Sequence, residues 1–190
     1  FLVTLNDRLR LLTDAIEIQT EAVRVLGEHL QTDWVHLAEY DEDLAFATIR
    51  CEYVRGDVQR LVGRYPVQGI GPLLTVLKGG HTVAESDMAT SALVTPEGRA
   101  MYAAVGVRGH AAAPVVKRHR LLAAIGVCDR APRAWTAQEI ALIEASPALQ
   151  REQVLGRHLL GLGGRLFDRL AVVLRQAVPR ARAGEVQQHV

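Results

Sequence analysis

The sequence predicts an α+β domain, an antiparallel central sheet of five or six strands flanked by helices. Three observations carry that expectation. Short apolar runs of strand length come in two adjacent pairs, within 35–54 and 107–129. Segments with apolar residues at helical spacing lie at both ends and between the pairs. Turn residues and helix-capping residues mark the boundaries, an order that suits a sheet with helices on its faces.

Taken in chain order, Leu2, Leu5, Leu9 and Leu12 step by three and four, which predicts a first helix over 2–12. Thr13 and Asp14 interrupt it and open a second helix running to about Leu30. That helix carries Ile16, Thr20, Val23 and Gly27 near one face and Ile18, Ala22, Val25 and Leu26 near another, so burial between two layers is expected. Residues 35–40 and 45–54 read as a hairpin joined by the acidic Asp41, Glu42 and Asp43. Arg55, Gly56 and Asp57 form the next turn, with Gly56 supplying the unusual dihedral and Asp57 capping backbone groups. A short helix over 72–77 ends at Gly79 and Gly80, a strand follows over 81–84, and 86–95 is a polar loop. Thr95, Pro96 and Glu97 supply an N-cap, a proline in the first turn and an early acid, so a helix runs from there to Val105 and stops at Gly106. Residues 107–116 and 121–129 are two apolar strands joined by the exposed basic tip Lys117–Arg120. Thr136 and Glu139 fit a capping box for the next helix, and Pro147 predicts that it kinks or restarts. From Leu149 on, Leu155, Leu159, Leu162, Leu166, Leu170, Val173 and Ala177 resemble a heptad seam, weakened by Gly161, Gly163 and Gly164. The tail from Pro179 is expected to fray.

Composition excludes several function classes. Of the 190 residues 49% are hydrophobic, enough for one cored domain and a helical extension, and the net charge of +1 gives no reason to expect a nucleic-acid partner. The seven Arg between Arg151 and Arg182 face only Glu152 and Asp168 and read as a solvated helical face. The longest apolar candidate, 159–178, is broken by Arg165, Asp168, Arg169 and Arg175, so no membrane contact is expected within the chain. The first residues lack a signal-peptide pattern. The chain starts at Phe1 without Met, which leads to the expectation of a longer parent protein and a cytoplasmic location. Free thiols are expected at Cys51 and Cys128.

At this point the residues resemble GAF domains, the small-molecule sensory modules of bacterial signalling proteins, and in particular those of sensor histidine kinases with PAS and GAF modules. The resemblance rests on VLGEHLQTDWVHLAEYD (25–41), EYVRGDVQRLVGRYPV (52–67), GGHTVAESD (79–87), YAAVGVRGHAAAPVVKRHRLLAAIGV (102–127) and APRAWTAQEIALIE (131–144), in that order and spacing. It implies a linker helix over 1–12, a GAF-like sensory domain over 13–146 and a helical extension over 147–190. It further implies a ligand pocket on one side of the sheet, a homodimer through the terminal helices, and a signal passed along those helices to an output domain. The alternative is a ligand-free dimerisation scaffold of the same fold, whose pocket side chains would fill. After Glu144 the chain departs from the pattern, with Pro147 and the glycines at 161–164. Neither a phosphoacceptor helix nor a glycine-rich ATP box is present, so no enzyme activity is expected of this chain.

The seven histidines, His29, His36, His81, His110, His119, His158 and His189, show no metal-ligand spacing. His81 enters a strand after a helix stop and could point into the pocket, and His110 sits on an apolar strand. Haem through a pocket histidine and a bilin on Cys51 or Cys128 are both disfavoured, because the bilin attachment boxes are absent and a buried thiol is usually structural. The cysteine set of the methionine-sulfoxide-reducing variant and the Asn-Lys-Phe-Asp-Glu signature of cyclic-nucleotide binders are absent as well. Gly69–Leu74 lacks the ending of a phosphate-binding loop. Arg55, Arg64 and Arg108 could bind an anion in a pocket, though surface ion pairs are the plainer expectation, and Asp87 reads as a loop cap. The candidate pocket residues are therefore Tyr53, Tyr65, His81, Arg108, His110 and Cys128, for an unidentified small molecule.

Overall fold

A computed structural model describes residues 15–154, with side-chain surroundings for 16–146. The helix expected over 2–12, the seam from Leu155 and the tail lie outside them. Six strands form one antiparallel sheet: β1 (Trp34–Tyr40), β2 (Phe46–Val54), β3 (Gly63–Pro66), β4 (Val83–Glu85), β5 (Gly109–Lys117) and β6 (Arg120–Asp129), in the order β3-β2-β1-β6-β5-β4. The helices are α1 (Ala15–Leu30), α2 (Gly71–Lys78), α3 (Pro96–Ala104) and α4 (Ala137–Val154), and a 3-10 turn at Gln68–Ile70 leads into α2.

Local chemistry explains the boundaries. At the start of α3 the Thr95 hydroxyl accepts the Gly98 N–H at 3.2 Å. At α4 the capping box is reciprocal: Thr136 Oγ1 accepts the Glu139 N–H at 3.2 Å, and Glu139 Oε2 accepts the Thr136 N–H at 2.8 Å. The β5–β6 hairpin turns through Arg118 and His119 at φ of 49° and 61°, the left-handed pair that a two-residue turn of this hand requires. Helix α4 does not restart at Pro147 but continues through it to Val154. Proline removes one N–H from the ladder, and the Ser146 hydroxyl adds a bond to the Leu142 carbonyl at 2.9 Å one turn back.

Period-two alternation along the strands divides the core into two layers. Val35, Leu37, Ala111, Ile125 and Val127 face α1 and α4. Trp34, Ala38, Ala112, Ala124 and Cys128 face the layer that holds α2 and α3. Helix α1 packs Val23, Leu26 and Leu30 against the sheet and α4 and buries Ile18 and Val25 as well, so residues of both expected faces are covered, while Ile16 is 54% exposed.

One strand breaks the alternation. The β1–β2 register shifts between His36 and Ala38, pairing His36 with Glu52 but Ala38 with Ile49. This β-bulge inserts an extra residue into β2 and reverses the faces beyond it. Ala47 and Ile49 therefore join the α2 layer, whereas Cys51 and Tyr53 join the α1 layer. Tyr53 stacks on Gly27 of α1, where a Cβ would overlap its ring.

At one end of the sheet a polar knot joins the helices to the strands. Thr32 Oγ1 donates to the Cys128 carbonyl at 2.6 Å, and Asp129 Oδ1 accepts the Asp33 N–H at 2.9 Å. Arg133 donates to Asp129 Oδ2 at 2.6 Å, to the Leu30 carbonyl at the end of α1 at 2.9 Å, and to Glu139 in the first turn of α4. Its guanidinium also lies 4.8 Å from the Trp135 ring centroid. One side chain thus ties the ends of α1, β6 and α4 together.

Candidate functional site

Between the sheet and the α2–α3 layer lies a cavity of about 100 Å³, partly open to solvent. The strand faces build its floor from small residues: Ala38 on β1, Ala47 on β2, Ala112 on β5, and Ala124 and Gly126 on β6. Ile70, Leu73 and Leu77 supply an aliphatic wall, and Met101, Tyr102 and Val105 of α3 supply another. Leu61, Tyr65 and Val67 close the β3 side.

The polar groups on this lining are few. His36 and His110 are 8% and 5% exposed, and the Nδ1 atom of each is buried without a hydrogen-bond partner among the described residues. Register explains how the two come together. His36 pairs across β1–β6 with Gly126, and His110 pairs across β5–β6 with Cys128, two residues further on the same face of β6. Gly126 has no side chain, and the His36 ring occupies the space above it; a Cβ there would overlap the imidazole. The rings of His110 and Tyr102 are tilted at 50° with centroids 5.4 Å apart.

Burial sets the charge state of every one of these groups. It pushes His36 down to about 4, and burial with the neighbouring His36 pushes His110 down to about 3. Burial raises the Tyr40 phenol, and burial with Cys128 and Tyr40 nearby raises that of Tyr102. Burial and the adjacent Asp129 raise the Cys128 thiol. All are neutral at pH 7, and among the described residues no Asp, Glu, Lys or Arg lines the cavity.

The segment 57–62 folds over the cavity's edge because three groups hold it. Trp34 Nε1 donates to the Gln59 carbonyl at 2.8 Å, and Tyr65 Oη donates to the Leu61 carbonyl at 2.9 Å. The carboxylate of Glu52, fully buried, accepts the Leu61 N–H and Arg60 Nε, each at 2.7 Å. Glu52→Ala leaves the buried Leu61 N–H unpaired and is expected to cost about 2 kcal/mol. Urea unfolding measures that loss, and faster hydrogen exchange at Leu61 localises it.

Of the residues proposed from sequence, the structure brings Tyr65, His110 and Cys128 to the cavity and takes the other three elsewhere. Tyr53 lies on the α1 face because of the bulge. His81 is exposed beside Gly79. Arg108 pairs with Asp87, which also accepts the Ala89 N–H at 3.0 Å as a loop cap; the pairing lowers the Asp87 carboxyl to about 2. The other two candidate anion-binding arginines also sit in ion pairs, Arg55 with Asp33 and Arg64 with Asp41, both at 3.4 Å. Sequence reasoning missed His36, Tyr40 and Tyr102. The first two were within reach, since Trp34, His36, Ala38 and Tyr40 alternate along β1 onto one face. Among the described residues no cluster of three or more His, Cys, Asp or Glu could hold a metal ion.

Comparison with known proteins places this geometry. Residues 14–146 match the family model of the GAF domain. The chain is similar to the phycoerythrobilin-bound GAF domain from a cyanobacterial phytochrome, at 18% identity over 83% of this chain and 96% of that one, with a TM-score of 0.69. It is similar at 13% identity to the chromophore-binding domain of an unusual bacteriophytochrome from R. palustris, over 83% of this chain and 62% of that one, with a TM-score of 0.69. A methyl-accepting chemotaxis protein fragment, residues 122 to 287 of its own sequence, aligns at 14% identity over 83% and 99%, with a TM-score of 0.64. At such identities the likeness is one of fold. No curated protein matches the chain.

Proposed function

We propose that this chain, which belongs to the GAF domain family, is the sensory part of a signal-transduction protein and binds a small molecule in the cavity beside His36 and His110. The observation that carries this reading is the cavity itself: two buried imidazoles with unmet hydrogen-bonding capacity in a chamber lined otherwise by aliphatic side chains, the rings of Tyr40, Tyr65 and Tyr102, and the Cys128 thiol. Both Nδ1 atoms are closed off from the open space, and no hydrogen bond holds either Nε2 among the described residues, so a ligand's polar group would meet the imidazoles at Nε2. The scaffold alternative expects side chains to fill this space, and about 100 Å³ stays open.

Signal transfer follows from the two-layer plan. The cavity lies on one face of the sheet, and α1 and α4 lie on the other, tied to β6 by Arg133. A ligand that prefers one spacing of β1, β6 and β5 shifts the helix arrangement by its differential affinity for the two states. In this reading the terminal helices carry the change to an output domain, in a two-component sensor kinase, and a homodimer forms through them in a cytoplasmic protein. The module itself does no chemistry. Its two thiols lack the thiolate character that redox or nucleophilic work needs: burial and nearby Glu39 push Cys51 up to about 11, and Cys128 is raised further still.

A covalently held bilin does not fit these residues. Cys51 packs on the α1 side, away from the cavity, and Cys128 lines the cavity but burial and the adjacent Asp129 hold it as a thiol rather than the thiolate that attachment needs. The open volume is also well below the roughly 300 Å³ at which pockets for drug-sized ligands begin, so neither a tetrapyrrole nor a haem enters without rearrangement. A metabolite screen by thermal shift, run on the chain and on Ala112→Leu, tests the reading. It expects compounds that raise the melting temperature of the first by several degrees and leave the second unmoved. If every hit stabilises both alike, the cavity is not the ligand site.

A further inference from the structure

The chemistry of the cavity narrows what can occupy it, an inference that rests on the ligand-binding reading above. We propose that its ligand is a small uncharged ring bearing a hydroxyl group, of the phenol class, held by hydrogen bonding to His36 and His110.

Four observations converge on that class. The first is charge. Among the described residues no Asp, Glu, Lys or Arg lines the chamber, and an ion buried there would lose its hydration without a counter-charge. Carboxylates, phosphates and ammonium compounds are thereby selected against. The second is size. A volume of about 100 Å³ is of the order of the engineered apolar cavities, about 150 Å³, that take up benzene, so there is room for one ring but not for a fused nucleobase with its sugar.

The third is shape. Ala38, Ala47, Ala112 and Ala124 make a low patch on the sheet floor, bordered by the His36 ring over Gly126, and the facing wall of Leu73 and Leu77 is aliphatic. A gap between a low patch and an aliphatic wall favours a flat apolar body. Tyr102, its ring tilted against His110, offers an aromatic edge to such a body. The fourth is the unmet polarity. A neutral imidazole has one donor and one acceptor nitrogen. Each ring here has its Nδ1 buried and unpartnered and its Nε2 without a hydrogen bond among the described residues, so each is free to take the tautomer that a ligand at Nε2 demands. A hydroxyl both donates and accepts, and it can use one imidazole as acceptor and the other as donor. An unsubstituted hydrocarbon leaves both unmet, and that penalty separates the two ligands.

Titration calorimetry of the full chain at pH 7 with phenol, benzene and benzoate as probes decides the matter. Phenol is expected to bind saturably at one site, benzene about tenfold more weakly, and benzoate at least a hundredfold more weakly. In the double variant His36→Leu/His110→Leu, phenol is expected to fall to the affinity of benzene, while benzene keeps or improves its own. Equal binding of phenol and benzene by the wild type, or benzoate binding as well as phenol, would overturn the inference. If phenol does not bind but the screen above finds a ligand that Ala112→Leu abolishes, the class is wrong and the sensory reading stands. If neither phenol nor any screened compound depends on the cavity, both fall.

Discussion

Acidification from pH 7 to pH 5 is expected to cost the fold about 4 kcal/mol, half of it from each cavity histidine. In the unfolded chain both imidazoles titrate near 6.5; in the fold, burial lowers His36 to about 4 and His110 to about 3. Below pH 6.5 the unfolded chain therefore binds more protons than the folded one, and stability falls as pH drops. Each pH unit in that window is worth about 1.4 kcal/mol per histidine, and the loss continues until the folded values are passed. Among the described residues no carboxylate lines the cavity to stabilise the charged form. Against a typical total of about 5–15 kcal/mol this is a large share, and urea unfolding at several pH values measures it. His36→Leu and His110→Leu should each remove about half of the acid sensitivity. Neither should destabilise at pH 7, because exchanging an unpaired buried polar group for an apolar one of similar volume is nearly neutral or better. A flat stability profile between pH 6.5 and 5 would show that the imidazoles are not held neutral by burial.

The second large effect is expected at Gly98. This residue sits in the first turn of α3, where the helix backbone rests against the 3-10 turn leading into α2. A Cβ at Gly98 would overlap the Gly69 carbonyl oxygen and stand 2.8 Å from its carbon, both backbone atoms that no rotamer change can move aside. The same carbonyl accepts the Thr95 N–H at 3.1 Å, so the α3 cap is fixed to that turn. Gly98→Ala must lift α3 or shift the turn, at a cost of about 3 kcal/mol or more, in the range of overpacked cores. Because α3 carries Met101, Tyr102 and Val105 of the cavity wall, ligand affinity should fall together with stability. Gly71→Ala, a neighbouring position where a Cβ meets nothing within 4 Å, is the matched control and should be close to neutral. Equal stability of the two variants, read by thermal melting, would contradict the contact.

These two sites also show what could be read in the sequence and what could not. The elements were legible wherever local chemistry decides them. Thr95 with Pro96 marked α3, the Thr136–Glu139 box marked α4, and the apolar runs within 35–40, 107–116 and 121–129 marked β1, β5 and β6. Strand β3 was not legible. Its four residues, Gly63–Pro66, begin with glycine and end with proline, and only pairing with β2 makes them a strand at the sheet edge. Tyr53 was misplaced because a bulge at the β1 register shift reverses the face of β2, and nothing in CEYV announces a bulge. His81 and Arg108 looked pocket-directed from chain order alone, yet one is exposed and the other is held by Asp87. Tyr102 could not have been placed, since its approach to His110 depends on how α3 docks against Gly69. His110 and Cys128 lie on strands that apolar runs mark in the sequence, whereas the place of Tyr65 at the cavity depends on the pairing of β3 with β2.

Cavity occupancy should be felt by the helices on the far face of the sheet. Amide hydrogen exchange reads this out on the full chain with and without a compound whose binding Ala112→Leu abolishes. Altered protection is expected in α1 (Ala15–Leu30) and in the first turns of α4, together with the cavity strands, and the helix response should be lost in Arg133→Ala while binding persists. Protection confined to β1, β5, β6, α2 and α3, with α1 and α4 unchanged, would mean that the cavity binds its ligand without signalling through the helices.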